Sequence, residues 1–278
     1  MKIFVSATPR CQADGSGLKD KIEFVNTIGV DFLNCAYNTQ QHIQLIQFLN
    51  EEVSIPSDLY DYVFDGDKII RHLSGNIIQI DTLKQNIQKM YKDCGYYIFE
   101  IFSLNYVVDN NDIILLKKFD DIDCEEKILT ATDLYGDLQT IRDLIPRDKK
   151  IIFQTPFRNN IIHDNDSLAI NERETIYETV KSFCEEPKNV NCVIYDPSVV
   201  IKEKTFYLYN GNDDFTPEGL FESWKYIYNN FIESSTLVDS DVVVNSDVVV
   251  NSDVVVDSDV VVDSDVVVDS DVVVNSDI

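Results

Sequence analysis

The chain has 278 residues and a formal net charge of −26, with 49 acidic against 23 basic side chains. Eleven of those negative charges are Asp residues between Val238 and Ile278, a stretch without Lys or Arg, which leaves −15 for the rest. Such a body repels phosphate backbones and shows no basic stripe, so nucleic acid is excluded as a partner. No stretch approaches the ~20 apolar residues that span a bilayer.

From the N-terminus, Lys2-Ile3-Phe4-Val5-Ser6 reads as a buried strand, too short in its apolar run for the ~7–15-residue core of a signal peptide. The expectation is therefore an intracellular, cytoplasmic protein. A polar, glycine-containing turn follows over residues 9–17, and Leu18, Ile22 and Val25 are spaced for one face of a helix over 18–27. Thr39 is expected to cap a second helix, with Ile43, Ile46 and Leu49 at helical spacing. Gly66 and Gly75 break the next segment, and residues 76–80 read as a short strand.

Asp81 is expected to cap a helix carrying Leu83, Ile87 and Met90, ended by Cys94-Gly95. The apolar run from Tyr96 to Phe102 predicts a strand covered on both faces. Asp133 begins a helix stopped by Pro146, and Lys150 to Phe153 is again a strand. Asn171 opens a helix that stops before Pro187, and Val190 to Tyr195 is the following strand. Thr216-Pro217 starts a last helix, with proline in its favoured first turn and Leu220, Trp224, Ile227 and Phe231 along one face.

Strand and helix in alternation imply right-handed crossovers, hence an α/β three-layer sandwich with a mostly parallel sheet. Ligands of such sheets bind beyond the carboxyl ends of the strands, which directs attention to the loops after Ser6, Ser103, Gln154 and Tyr195 and to the loop before the last helix. Neither a G-x-G-x-x-G nor a G-x-x-x-x-G-K-[ST] run occurs, so no nucleotide cofactor is expected. The six cysteines are scattered without a C-x-x-C pair and read as free thiols rather than metal ligands; no metal is expected.

The domain is expected to occupy residues 1–235, and a low-complexity acidic extension residues 236–278. That extension repeats Asp-Val-Val-Val-(Asn/Asp)-Ser from Asp241. Because the period is even, an extended strand would repeat the same residues on each face. Three readings stay open: a disordered tail, a stacked or intermolecular sheet that self-associates through the valines, and a Ca²⁺-gathering array. Truncation at Val238 is expected to leave the body folded.

Several short features bear on chemistry. Ser6 places a hydroxyl at a strand-to-loop junction, Asn105 an amide just past a middle strand, and the last helix is preceded by Asp213-Asp214-Phe215-Thr216-Pro217-Glu218-Gly219. In layout this resembles the SGNH/GDSL-like hydrolases and the related sugar O-acyltransferases, whose fold is flavodoxin-like. The resemblance implies Ser6 as nucleophile and Asn105 as oxyanion donor, with the base falling at Asp214, where the family has histidine. It implies acyl or ester chemistry on a small-molecule or carbohydrate substrate. This chain departs from the family in reading Val-Ser-Ala-Thr around Ser6 and in having Asp214 for histidine and Gly211 for the paired aspartate.

Cys11 is an alternative nucleophile, since thiols need less activation, and His163 an alternative base. Arg10 and Arg158, both in loops after strands, are candidates to hold an anionic substrate group. A catalytically inactive relative that keeps the fold as a binding or structural module is the competing reading, and a sugar-modifying transferase without serine chemistry a third. The richness in Ile, Asn, Asp, Tyr and Lys resembles proteins of AT-rich, giant-virus-like genomes, a coding bias without functional content.

Overall fold

A computed structural model of the chain describes residues 1–7, 18, 20–26, 36–64, 80–157, 167–201 and 215–233. The chain divides into two units, Met1–Leu237 and Val238–Ile278, and the described residues all belong to the first. The expected arrangements of the repeat tail lie outside the described residues.

Five parallel strands form the main sheet: β1 (Lys2–Ser6), β2 (Glu23–Asn26), β3 (Tyr96–Glu100), β7 (Lys150–Gln154) and β8 (Cys192–Tyr195), in the spatial order β2-β1-β3-β7-β8. The chain moves outward from β1 to β2 and then returns past β1 to β3. This is the doubly wound order whose topological switch point lies between β1 and β3. Strand alternation sends Phe4, Tyr97, Phe99, Ile151 and Phe153 to one face, and Ile3, Val5, Ile98 and Ile152 to the other.

The first face is covered by α1 (Thr39–Leu49), α3 (Ile80–Lys92), α4 (Ala131–Leu144) and α5 (Ser167–Glu185). The second is covered by α7 (Pro217–Ile227) and its π-helical continuation Tyr228–Glu233, through Trp224, Ile227 and Ile232. Short helices α2 (Tyr60–Val63) and α6 (Ser198–Ile201) complete the α-helices among the described residues. The three-layer α/β architecture with a parallel sheet is therefore as the sequence predicts. No described helix is long and apolar enough to cross a membrane.

Several local expectations are corrected. Lys21 N and Ile22 N both donate to Leu18 O, and Glu23–Asn26 is strand β2 rather than helix. Three apolar residues at helical spacing could not outweigh the aromatic and β-branched Phe24-Val25, which pair alongside β1 with Val25 buried and Phe24 against Trp224. The cap of α1 is Asn38, not Thr39: its side chain accepts from Gln41 N. Of the strand expected over 76–80, residues 76–79 lie outside the described residues, and Ile80 opens helix α3. Helix α4 starts at Ala131, because Thr130 and Asp133 form a reciprocal capping box, and α5 starts at Ser167. Val190 is 79% exposed at the end of a 3₁₀ turn, so the last strand begins at Cys192.

Residues 105–128, for which the apolar periodicity predicts no element, form a small antiparallel sheet of β4 (Asn105–Asp109), β5 (Ile114–Leu115) and β6 (Cys124–Ile128) in the order β5-β4-β6. The turn at Asp109-Asn110-Asn111-Asp112 is built for it. Asp109 Oδ1 accepts from Asn111 N and Ile113 N, while Asp112 takes a left-handed φ of 61°. The side chain of Gln44 on α1 stands in for a neighbouring strand. Its Nε2 donates to Ile114 O at 2.9 Å and its Oε1 accepts from Ile114 N at 2.7 Å. Buried polar residues of α1 thus satisfy backbone that the short β5 would otherwise leave unpaired.

At the opposite end of the main sheet, Arg142 is fully buried near the end of α4. It donates to Lys149 O at 3.0 Å, Ile145 O at 2.8 Å and Pro146 O at 2.5 Å. A cation there also complements the negative end of the helix. Arg142→Leu should lower unfolding free energy by about 2 kcal/mol, because three carbonyls lose charge-assisted donors. An unchanged urea midpoint would contradict this role.

Candidate functional site

Ser6 is the last residue of β1 and sits in register beside Phe99 of β3, at the carboxyl edge next to the switch point. Alternation turns its side chain to the face of Phe4, toward α1. On α1, the Asn38 cap sets the first turn so that His42 falls on the buried stripe with Leu45, Ile46 and Leu49. The imidazole packs edge-on against Phe99, ring centroids 5.1 Å apart.

His42 joins the two strands by its two nitrogens. Nδ1 lies 3.0 Å from Ser6 Oγ, and Nε2 lies 2.7 Å from the main-chain oxygen of Glu100. A carbonyl only accepts, which assigns the proton to Nε2; Nδ1 then carries a lone pair and accepts from the Ser6 hydroxyl. Burial pushes the His42 pKa down to about 4, only partly opposed by the bond to Glu100 O, so the ring is neutral near pH 7. Both Ser6 and His42 are fully buried.

The arrangement is that of a hydroxyl on a base: the separation falls within the ~2.6–3.2 Å of a competent nucleophile–base pair. What stands behind the imidazole is a carbonyl, not a carboxylate. It sets the tautomer but brings no negative charge to balance an imidazolium. The Glu100 carboxylate is turned to the other face of β3, where Gln154 Nε2 donates to its Oε1 at 3.3 Å.

Asn105, the first residue of β4, is exposed and paired with Ile128. Its Nδ2 donates to Ser103 Oγ at 3.2 Å and to Glu172 Oε1 at 3.3 Å. The loop between β3 and β4 is tied to the start of α1. Phe102 N and Ser103 N both donate to Tyr37 O, and Asn38 Nδ2 donates to Asn105 O at 3.0 Å. Ser6 and Asn105 therefore belong to elements that meet around the first turn of α1. Asp214, Cys11, His163, Arg10 and Arg158 lie outside the described residues.

His42 is the site residue that sequence reasoning passed over. A signal was present: a histidine three and four residues before Leu45 and Ile46 shares their helical stripe, and a polar group there must find a partner in the core.

The fold and this pair define a doubly wound α/β protein with a serine–histidine couple at the carboxyl edge of its sheet. No family model matches the chain, and no curated protein matches it. Among solved structures, a member of the lipolytic protein G-D-S-L family from Veillonella parvula DSM 2008 aligns over 84% of this chain and 99% of that one, at 12% identity and a TM-score of 0.44.

Proposed function

We propose that the chain is an SGNH-like serine hydrolase or acyltransferase acting on an ester or acyl group of a small molecule or carbohydrate, with Ser6 as nucleophile and His42 as its base. The observation that carries this reading is the Ser6 Oγ–His42 Nδ1 contact at 3.0 Å, at the sheet edge where such folds bind ligands. As Ser6 Oγ bonds to the acyl carbon, its proton passes to Nδ1. His42 returns that proton to the departing alkoxide, giving an acyl-serine and a free alcohol. Water or an acceptor hydroxyl then repeats the sequence, giving up its proton to Nδ1 and regenerating Ser6. Asn105 is the oxyanion donor in this scheme. The chemistry belongs to residues 1–235, with no role for the acidic extension at 236–278.

A second reading has its own support. Complete burial of Ser6 and His42, with no carboxylate on the ring, also suits a retained fold that binds without turnover. Labelling by a fluorophosphonate and hydrolysis of p-nitrophenyl acetate separate the two. Wild type should be labelled, Ser6→Ala should not, and His42→Gln should lose about 10²–10⁴-fold in rate, the range for removing a general base. Cys11→Ala and Asp214→Asn should keep wild-type rates. An unlabelled wild type would end the hydrolase reading, and an inactive Asp214→Asn beside a fully active His42→Gln would move the base to Asp214.

A further inference from the structure

Glu172 reaches from α5 to the loop between β3 and β4 and gathers three donors on a single oxygen. Its Oε1 accepts from Leu104 N at 2.6 Å, from Ser103 Oγ at 2.9 Å and from Asn105 Nδ2 at 3.3 Å. Ser103 Oγ in turn accepts from Asn105 N at 3.0 Å and from Asn105 Nδ2 at 3.2 Å. On its other side the same loop hangs on Tyr37 O and on the Asn38 side chain, at the cap of the helix that holds His42 against Ser6. A continuous chain of hydrogen bonds thus runs from Glu172 through Ser103, Asn105 and Asn38 to the helix bearing the base.

We propose that Glu172 is a positioning residue for the oxyanion side of the site, an inference that rests on the hydrolase reading above. A side-chain amide stabilises an oxyanion efficiently only when its plane is set before charge develops. Nδ2 carries two hydrogens. Glu172 Oε1 and Ser103 Oγ, 2.9 Å apart, lie on the same side of Nδ2 and share one of them, which holds the amide plane and leaves the other to meet an oxyanion. Leu104 N, held by the same carboxylate, keeps the loop backbone from drifting. Glu172 touches no reacting atom; it acts through Asn105.

The convergence of all three donors on Oε1 makes the test selective. Glu172→Gln keeps an oxygen in that place, whereas Glu172→Ala removes it. In the full chain, with p-nitrophenyl acetate, Glu172→Ala should lower kcat about tenfold with KM unchanged, the lower end of the effect of losing an orienting partner. Glu172→Gln should stay within about twofold of wild type and folds with its hydrogen bonds in place. In an Asn105→Ala background, Glu172→Ala should cost nothing further, because its effect passes through that amide. An unchanged kcat in Glu172→Ala, or effects of the two substitutions that multiply, would overturn the proposal. Wild type no faster than Ser6→Ala would instead defeat the hydrolase reading; turnover by wild type with Glu172→Ala equally fast defeats only the role of Glu172.

Discussion

Replacing His42 by alanine should cost about 3–5 kcal/mol of folding stability and abolish labelling of Ser6. The imidazole fills a fully buried position against Phe99, and its removal leaves a cavity beside that ring. It also strips the Ser6 hydroxyl of its acceptor and the Glu100 carbonyl of its imidazole donor. Each effect alone costs roughly 1–3 kcal/mol, and in one tightly packed place they compound. The measurement is urea unfolding, read as a fall in midpoint at constant slope. Coupling checks the interpretation: Ser6→Ala with His42→Ala should cost less than the two separately, since the orphaned hydroxyl is then gone. A loss under about 1 kcal/mol would mean that water or a neighbour replaces the ring, contrary to the packing seen around it.

The same residue should make the protein acid-sensitive in a defined window. Unfolded, His42 has the ordinary value of 6.5; folded, burial holds it at about 4. Above pH 6.5 neither state is protonated at this site and its contribution is flat. Below 6.5 the unfolded chain binds a proton that the folded chain refuses, so stability falls as pH falls. The slope approaches about 1.4 kcal/mol per pH unit and ends near pH 4, for a total of roughly 3 kcal/mol. Asp137, whose buried carboxyl is raised above its ordinary value, bends the profile the other way, so the comparison must be made against His42→Gln. The stability difference between wild type and that variant should shrink by about that amount between pH 7 and pH 4. A pH-independent difference would show that the ring does not titrate as a buried neutral base.

The parts of the fold that were legible in the sequence are those where one local signal dominates. Tyr96-Tyr97-Ile98-Phe99 is apolar and β-prone on both faces, and Thr216-Pro217 is both a cap and a first-turn proline, so β3 and α7 read directly. Where signals compete, the tertiary partner decides. Leu18, Ile22 and Val25 satisfy helical spacing, yet Phe24-Val25 has an open edge of β1 to pair with, and sheet formation prevails. The small sheet over 105–128 was in principle readable from its Asp-Asn-Asn-Asp turn, but β5 is only two residues long and depends on Gln41 and Gln44 from a distant helix.

The candidate site divides in the same way. A serine at the end of the first strand and an asparagine after the middle strand are local facts, and alternation of strand and helix already sends their loops to one edge of a parallel sheet. The partner of the serine is not local. His42 stands 36 residues away along the chain and meets Ser6 because α1 packs on the face to which Ser6 points. Its tautomer and its lone pair toward the hydroxyl come from a main-chain oxygen on a third element, Glu100 of β3, and its neutrality from burial. By itself, then, the sequence determined the class of fold and the edge of the sheet where chemistry could sit, because hydrophobic period and turn residues act over short range. Which base faces Ser6, in which protonation state, was decided by tertiary packing alone, since burial and hydrogen-bond partners are properties of elements brought together from across the chain.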